Sequence, residues 1–325
     1  MNAVARHRLP DGRWHWAEWA FWLLPVVGFV AAPNYLLLGS QIFIVGLFAL
    51  SLDLLLGYAG IVSLGHAAFF GVGAYTAGLL ASHGWGEPIS GLFAGGVVAA
   101  LVGWVASFLV VRGRDLTQLM VTMGIGLVLF EAANKAAFVT GGVDGLSGMA
   151  MGKVLGLFDF DLEGRVAYLY SLAVLLLVFV VLRRMVHSPF GLGLRGLHHG
   201  PRRMPAIGAS VYRRQIAIFT VGAGVAGIAG ALLAQTTQFV GLDSLSFHRS
   251  AELLIMLVLG GAGRLYGGLV GAAVFMVAQN FLADLNPVYW QFWLGLLLVL
   301  VVMFAHGGVL GGLAALRRRL GRGGE

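Results

Sequence analysis

Apolar segments long enough for a helix to cross a lipid bilayer recur along the whole chain. Ten of them cover residues 17–32, 35–56, 59–81, 89–111, 116–139, 166–185, 215–234, 246–260, 265–283 and 289–305. Crossing a hydrocarbon core of about 30 Å takes roughly 20 helical residues, whereas membrane strands alternate apolar and polar residues at every second position. Because no such alternation dominates, the sequence predicts an all-α, polytopic transmembrane helical bundle with about 10 spans, in a range of about 8–10.

The composition agrees with a membrane protein and excludes several other classes. Hydrophobic residues make up 59% of the chain and charged residues 11%, whereas about 25% of the residues in soluble domains are charged. The chain contains no cysteine, which excludes disulfides, thiolate metal sites and cysteine nucleophiles. Its net charge of +7 is the excess that cytoplasmic loops of polytopic proteins carry, so we expect a lipid bilayer and no nucleic acid as a partner.

The distribution of positive charge predicts the orientation of the spans. Ten crossings place both termini on one side, and Lys and Arg accumulate on cytoplasmic loops. Of the 21 Lys and Arg residues, 17 fall on one side of this topology; Lys153, Arg165 and Arg249 fall on the other, and Lys135 lies within a span. The sequence therefore predicts a transmembrane domain, 17–305, between a cytoplasmic N-terminal tail, 1–16, and a basic cytoplasmic tail, 306–325.

Two loops depart from simple helical hairpins. Residues 140–165 are too rich in glycine and acidic residues to span a membrane, so we expect a structured external loop. Residues 187–214 form the longest cytoplasmic loop and are strongly basic. Such a loop can dock a cytoplasmic partner, and composition alone leaves open that it is only a charged loop obeying the positive-inside rule.

The segment 54–80 is apolar enough to enter a bilayer, yet it is filled with glycine and contains Ser63, His66, Tyr75 and Thr76. Every polar group placed in hydrocarbon needs a partner there, so an inert anchor would not carry these side chains. Glycines allow backbones to approach closely or interrupt a helix. This pattern is typical of a pathway through the membrane.

A second glycine cluster, 260–271, follows a short apolar run, 252–259, that would cover only about 12 Å as a helix. Either this helix begins earlier, near Ser246, or it is a half-helix of the kind that flanks transporter substrate sites. The two clusters together suggest an internal repeat. Equally, Gly267 and Gly271 can form an ordinary close contact between two helices.

Two nucleotide-binding patterns fail on their context. The Gly-x-Gly-x-x-Gly match at 222–227 lies inside an apolar span, where it indicates helix packing rather than a dinucleotide site. The glycine-lysine stretch 148–153 is one residue too short for a phosphate-binding loop. No catalytic triad, metal cage or carboxylate pair is evident, so we expect no enzyme activity and no cofactor in this chain. Any ATP would be bound by another subunit.

Ionisable residues inside predicted spans are candidate functional groups because burying them in a membrane is costly. They are Asp53, His66, Glu131 and Lys135, with Glu252 near a span end. Glu131 and Lys135 are one helical turn apart, which favours a structural pair over a proton relay. Asp53 is expected to reach the membrane interface. For His66, a packing role and a solute contact are equally open.

At GYAGIVSLGHAAFFGVGAYTAGLL, residues 57–80, the sequence resembles the membrane permeases of branched-chain amino acid ABC transporters, particularly their LivM-type branch. The resemblance extends over about 36–313. It includes TGGVDGL at 140–146, SPFG at 188–191 followed by Arg195, ELLIMLVLGG at 252–261 with Gly263 and Gly268, and HGGVLG at 306–311.

The resemblance implies an importer subunit in a bacterial cytoplasmic membrane, working with a second related permease, two cytoplasmic ABC ATPases and a periplasmic binding protein. For the substrate pathway we predict Ser63, Gly65, His66, Tyr75, Gly260, Gly261 and Gly263. For ATPase coupling we predict Phe190, Gly191, Arg195, Arg202, Arg203 and Gly208, and for the surface facing the binding protein Thr140, Gly141, Gly142, Asp144 and Gly145. Relatives of this family transport branched-chain or other amino acids, urea, amides or aromatic acids.

The coupling loop departs from the family pattern. Where relatives carry acidic residues and alanines before a glycine, this chain reads HHGPRRMPAIG at 198–208. Pro201 and Pro205 would interrupt a simple coupling helix, which implies altered contacts with the ATPase or a specialised ATPase. The alternative function is a self-contained secondary transporter in which Asp53, His66 or Glu131 couples transport to ions.

Overall fold

The structure is a computed structural model that describes residues 16–113, 116–161, 163–200, 204–304, 308–309 and 311–312. Residues 1–15 of the predicted N-terminal tail, most of the predicted C-terminal tail, and Arg202 and Arg203 lie outside the described residues. The regular secondary structure of the described part is helical, and its only extended pairings are two isolated bridges, Leu146 with Val240 and Val154 with Phe158. The predicted all-α bundle is therefore confirmed.

The helices follow one another with short connections. They are α1 (Trp16–Ala31), α2 (Leu36–Asp53), α3 (Ala67–Ser82), α4 (Pro88–Val110), α5 (Leu116–Lys135), α6 (Ala137–Thr140), α7 (Arg165–Val186), α8 (Pro189–His199), α9 (Val211–Thr237), α10 (Phe247–Gly260), α11 (Leu265–Leu285) and α12 (Trp290–Phe304). Each of the ten predicted apolar segments overlaps one of the longer helices, α8 lies in the predicted cytoplasmic loop, and α6 lies where the predicted span 116–139 meets the external loop.

Six helical segments in the described part are long and apolar enough to cross a membrane. They are Pro33–Ala59, Pro88–Val110, Leu116–Lys135, Arg165–Val186, Val211–Thr237 and Leu265–Leu285, and Glu18–Ala31 and Ala67–Ser82 are shorter apolar helices. The helix predicted within 59–81 starts later than the apolar pattern does. The chain first forms a π-helix, Leu54–Ala59, and then runs irregularly to α3.

Helices α3, α4 and α9 form a cluster in which backbones touch. A methyl group on Gly73 would overlap the backbone of Gly227, one on Gly227 would overlap Gly95, and one on Gly230 would overlap the carbonyl of Phe70. Only glycine permits this approach, which brings small-residue helices into van der Waals contact along their length. The Gly-x-Gly-x-x-Gly match within α9 is thus confirmed as a packing motif.

Helices α2, α10 and α11 form a second cluster. A methyl group on Gly271 would overlap the carbonyl of Met256, and one on Gly268 would lie 3.2 Å from the Ala49 backbone. The first contact joins α10 to α11 across a four-residue turn, 261–264. The predicted close contact at Gly271 is confirmed, and it holds two consecutive helices together.

Helix α1 is attached to α7 and α11 through aromatic and charged groups. Arg183 of α7 pairs with Glu18 of α1. Trp22 packs edge-on against Phe179, with ring centroids 5.1 Å apart, and Phe179 lies 4.9 Å from the Tyr266 ring. This buried ion pair fixes the start of α1 against the inner part of the bundle.

The bundle has two distinct ends. At the long-loop end, residues 141–164 contact the α3–α4 and α9–α10 connections: the Gly152 N–H donates to the Gly86 carbonyl at 2.8 Å, and Leu146 and Val240 exchange backbone hydrogen bonds. At the opposite, α8 end, α8 folds back against the end of α7, where a methyl group on Gly191 would overlap the carbonyl of Val186.

Candidate functional site

The candidate site is built around the broken segment, residues 54–66, between α2 and α3. The π-helix ends at Gly60, whose φ of +71° is strained for any residue with a side chain. Residues 61–66 then run without a regular helix until Ala67. Non-helical backbone at membrane depth is tolerated only where it is buried in protein or lines a water-filled cavity. Here the surrounding helices bury most of it.

One contact joins the broken segment to the turn between α10 and α11. The Gly263 N–H donates a hydrogen bond of 2.7 Å to Asp53 Oδ1, across 210 residues of sequence. A methyl group on Gly57 would overlap both Asp53 and the Gly263 backbone. The two predicted glycine clusters therefore meet in space. The Asp53 side chain is fully buried within the protein; that it lies near the membrane interface stays a prediction.

His66 is enclosed in the protein. The Ser51 hydroxyl donates to the Phe48 carbonyl at 2.6 Å, so its oxygen accepts from His66 Nε2–H at 2.8 Å. The imidazole stacks on the Phe48 ring, with centroids 5.8 Å apart and an interplanar angle of 7°. Nδ1 is buried and has no hydrogen-bond partner among the described residues. In this conformation His66 contacts neighbouring helices.

Two further hydrogen bonds fix the start of α3. The Leu64 N–H donates to Thr122 Oγ1 of α5 at 3.3 Å, and the Ala67 N–H donates to Ser250 Oγ of α10 at 2.9 Å. A methyl group on Gly65 would overlap the Thr122 carbonyl. Backbone groups that an interrupted helix leaves unpaired are thus satisfied by side chains of neighbouring helices.

The bond between Ser250 and Ala67 shows how deep α10 begins. Ala67 lies 15 residues before Ser82, a distance of about 22 Å along α3. The Leu245 side chain packs against Gly71, so the chain before α10 follows α3 into the bundle. Residues 246–250 therefore lie inside the bundle rather than in an external loop. Helices α10 and α3 begin at the same level along the bundle axis.

Charged side chains surround the start of α10. Arg249 lies 3.3 Å from Asp243 Oδ2 and 3.3 Å from Glu252 Oε2, and His248 Nε2 lies 3.2 Å from Glu252 Oε1. A cavity of about 30 Å³ lies beside Arg249 and Glu252, and its other lining residues are all apolar. The sequence pattern placed Arg249 on the predicted outer side and Glu252 near a span end. It did not reveal that the two side chains pair inside the bundle, at the start of α10.

Helix α8 packs directly on the broken segment. The Arg195 guanidinium lies 5.6 Å from the centroid of the Tyr58 ring, in a cation–π geometry. A methyl group on Gly60 would lie 2.8 Å from His198 Nδ1. The apolar side of α8 is buried through Leu194 and Leu197. Its helix ends at His199, before the first of the two prolines that were expected to interrupt it.

The predicted coupling residues fall at different places along this part of the chain. Gly191 is buried, Phe190 and Arg195 are half-buried, and Gly208 is exposed with a φ of +77°. Arg202 and Arg203 lie outside the described residues. The structure thus places Arg195 against Tyr58, and it places Gly191 where α8 meets α7.

At the long-loop end, the predicted Thr-Gly-Gly-x-Asp-Gly motif forms a compact turn. Thr140 Oγ1 donates to the Ala133 carbonyl at 2.6 Å and accepts from the Gly142 N–H at 3.2 Å. Gly141 and Gly145 have φ of +76° and +73°. Thr140 and Gly142 are buried, whereas the Asp144 side chain is exposed at the surface.

The predicted pathway residues gather around the broken segment in two groups. Ser63, Gly65 and His66 are buried within it, and Tyr75 lies two turns further along α3. Gly260, Gly261 and Gly263 belong to the α10–α11 hairpin on its other side. Among the residues that sequence reasoning missed are Tyr58, Ser250 and Arg249. Tyr58 and Ser250 are identified by contacts across long sequence separations, and Arg249 by its place next to Ser250.

Four polar atoms in and near the site are buried without partners among the described residues. Asp53 Oδ2, Ser63 Oγ, His66 Nδ1 and the Tyr75 hydroxyl are buried without a hydrogen-bond partner in the described structure. Buried polar atoms without partners are uncommon and costly in proteins.

No group of three metal-ligating side chains occurs among the residues described. Glu131 and Lys135, predicted to pair, are both exposed on α5.

Comparisons with known proteins point to one family. A family model described as "Branched-chain amino acid transport system / permease component" matches residues 34–316. The chain is 30% identical over 288 residues to proteins from Escherichia coli and Salmonella typhimurium, each named "High-affinity branched-chain amino acid transport system permease protein LivM". These matches cover 80% of this chain and 66% of each relative, so the chain spans just under two thirds of their length.

A more distant relative adds an archaeal example. The "Probable branched-chain amino acid transport permease protein LivM" of Methanocaldococcus jannaschii is 23% identical over 315 residues, covering 81% of this chain and 89% of the relative. No solved structure matches the chain.

Proposed function

Because this chain belongs to the family of permease components of branched-chain amino acid transport systems, matched over residues 34–316, we propose that it is the membrane subunit of an ABC importer. Its substrates would be branched-chain or related amino acids, as the names of its relatives indicate for those proteins. The family match carries the proposal. The multi-pass helical fold and the polar broken segment support it.

The importer that we propose has further subunits. A second, related permease would complete the membrane pathway, two cytoplasmic ABC ATPases would bind and hydrolyse ATP, and a periplasmic binding protein would deliver the amino acid. Large apolar side chains are exposed on α4 and α5, among them Phe93, Trp104 and Val128. Exposed apolar surface on this scale fits lipid and a neighbouring permease.

The charges at the two ends of the bundle support a cytoplasmic position for the α8 end. Arginines concentrate at the α8 end: Arg112, Arg184, Arg195, Arg213 and Arg264. The long-loop end carries mainly acidic residues: Glu87, Asp144, Asp159, Asp161 and Glu163. Positive charge accumulates on cytoplasmic loops. We therefore assign the α8 end to the cytoplasm and the long-loop end, with Thr140, Gly141, Gly142, Asp144 and Gly145, to the binding protein.

In this proposal α8 is the element that the ATPases move. It lies at the predicted cytoplasmic end and contacts the broken segment through Arg195 and Tyr58. The residues following it, including Arg202, Arg203 and Gly208, would complete the docking surface together with Phe190 and Gly191. The end of α8 at His199 supports an altered contact with the ATPase, because the prolines shorten this helix.

Movement of α8 would reach the pathway through a short series of contacts. Arg195 and His198 touch the π-helix at Tyr58 and Gly60, and Asp53 at the start of the π-helix holds the Gly263 N–H. A shift of the broken segment would thus move the α10–α11 turn with it. The buried polar atoms without partners near Ser63 and His66 would then gain water or solute as partners, which lowers the cost of the open state.

The test is reconstitution of the chain with its second permease and ATPases in proteoliposomes, with the binding protein outside and radiolabelled leucine as solute. We expect uptake that requires both internal ATP and the binding protein. Uptake by this chain alone, driven by a proton or sodium gradient, would instead establish the secondary transporter. A complex that hydrolyses ATP in the presence of the binding protein but transports only urea, amides or aromatic acids would show that the chain belongs to an importer with a different substrate.

A further inference from the structure

We propose that Arg249 and Glu252 form a binding site for the amino group and carboxylate of the transported amino acid, with the adjoining apolar cavity receiving its side chain. The inference rests on the proposed function and names the place in this chain where the solute would be held. It is carried by the depth of α10, by the ion pairs at its start and by the cavity beside them.

The depth of the site comes from two contacts. Ser250 accepts a hydrogen bond from the first residue of α3, and Leu245 packs against Gly71 one turn further along. Helix α3 continues for about 22 Å from Ala67 toward the long-loop end. Arg249 and Glu252 flank Ser250 on α10, so their backbones lie well inside the bundle, away from both of its ends.

The charges at this depth indicate water or solute rather than lipid. A charged side chain that faces hydrocarbon is costly, so such residues face a bundle interior or a water-filled cavity and pair with one another. Arg249 pairs with Asp243 and Glu252, while His248 also contacts Glu252. The Arg249 side chain nevertheless remains 37% exposed and Glu252 17% exposed. This surface therefore suits the wall of an aqueous passage.

The chemistry of the pair matches a zwitterion. A guanidinium binds a carboxylate through two parallel N–H donors, and a carboxylate accepts from an ammonium group. The hydrogen bond from Arg249 Nη1 to Glu252 Oε2 is long, at 3.3 Å. An amino acid inserted between the two side chains would replace this weak contact with two charge-assisted ones. Asp243 and His248 would remain at the rim, each with more than 60% of its side chain exposed.

The cavity beside the pair supplies the apolar part of the site. Its other lining residues come from α2, α3, α9 and α10: Val45, Phe48, Phe70, Leu233, Leu253 and Met256. Its volume of about 30 Å³ admits only the tip of an aliphatic side chain. Phe48 also stacks on His66, so widening the cavity for a leucine side chain would move the ring that rests on the broken segment. Solute binding would thus act on the broken segment through the contact between Phe48 and His66.

The experiment uses the complete reconstituted complex and compares Glu252→Gln and Arg249→Gln with the wild type. Each variant removes one charge; Glu252→Gln keeps the shape of the side chain, whereas Arg249→Gln also shortens it. We expect leucine uptake to fall about tenfold to a hundredfold, the effect of losing one charge-assisted hydrogen bond. The matched control is Arg165→Gln, since Arg165 forms a surface ion pair with Glu163 at 2.7 Å away from α10; its uptake should match the wild type.

A second measurement keeps the test valid if a variant fails to assemble. A leucine analogue with a photoreactive diazirine side chain is irradiated with the wild-type complex, and the labelled peptides are identified by mass spectrometry. We expect labelling between residues 247 and 260 or at Phe48, with protection by excess leucine. Wild-type uptake in both α10 variants, or protected labelling only elsewhere in the chain, would overturn the site. Absence of leucine uptake by the wild-type complex would instead count against the proposed function.

Discussion

The two helix clusters of this protein use glycine in opposite ways. In the cluster of α3, α4 and α9, glycines such as Gly73 and Gly227 bring uninterrupted stretches of helix into backbone contact. In the cluster of α2, α10 and α11, Gly60 and Gly263 adopt positive φ and interrupt the helices. The first cluster is joined by close packing and the second also by hydrogen bonds such as that between Gly263 and Asp53. We infer that one cluster is a rigid frame and the other is the part that moves.

The largest expected effect comes from breaking the frame. In Gly230→Val, the added side chain would overlap the carbonyl of Phe70, a backbone atom that cannot move aside. We expect destabilisation of about 3 kcal/mol or more, seen as loss of monodisperse protein in detergent and a lower unfolding temperature. Gly124→Val is the control, because a Cβ at Gly124 meets nothing within 4 Å. Equal stability of the two variants would contradict the comparison.

The next effect tests the moving part. Asp53→Ala removes the acceptor for the Gly263 N–H and should leave the complex assembled, because the frame is untouched. We expect leucine uptake to fall by about tenfold, because a buried N–H left without an acceptor costs about 1–3 kcal/mol. Asp53→Asn keeps an acceptor oxygen at the same place and should retain most of the uptake. An Asn variant as inactive as the Ala variant would show that charge, rather than this contact, matters.

A smaller effect is expected at the link to α8. Arg195→Gln removes the cation over the Tyr58 ring, a contact worth about 0.5–1 kcal/mol. We expect uptake per ATP hydrolysed to fall about two- to fivefold, with assembly unchanged. Arg184→Gln is the control, since Arg184 is exposed at the same end of the bundle. A loss of coupling in both variants would assign the effect to total charge rather than to the Tyr58 contact.

The smallest effect is expected at the hydrogen bond that joins the broken segment to α5. Thr122→Val removes the acceptor for the Leu64 N–H, a bond of 3.3 Å that is already long. We expect a stability loss of no more than about 1 kcal/mol and uptake within a factor of about two of the wild type, measured side by side with the Asp53 variants. A loss as large as that of Asp53→Ala would place α5 in the moving part.

Much of this fold could be predicted from the sequence because its signals are local. Each apolar segment produced a helix, and the glycine clusters near Gly60 and Gly263 correctly marked the interruptions. The resemblance to branched-chain amino acid permeases was confirmed by the family match. These features depend on residues that are neighbours along the chain.

The site could be predicted only in outline, because its contacts join distant parts of the chain. Asp53 and Gly263 are 210 residues apart, and nothing in their local sequences pairs them. The pattern allowed a span that begins near Ser246, but nothing in the stretch Ser-Phe-His-Arg-Ser at 246–250 indicates that it pairs with Ala67, so this contact could not be predicted. His66 remained open between two roles, and its burial under Phe48 depends on how α2 and α3 pack.

The turn between α10 and α11 also determines how far a small movement is carried. Helix α11 runs for 21 residues from this turn, a rigid lever arm of about 31 Å. Gly57 and Gly263 meet beside the Asp53 carboxylate, which accepts the Gly263 N–H, so a displacement of the broken segment passes directly to the turn. A tilt of about 5° at the turn would therefore displace the far end of α11 by about 3 Å, the diameter of a water molecule.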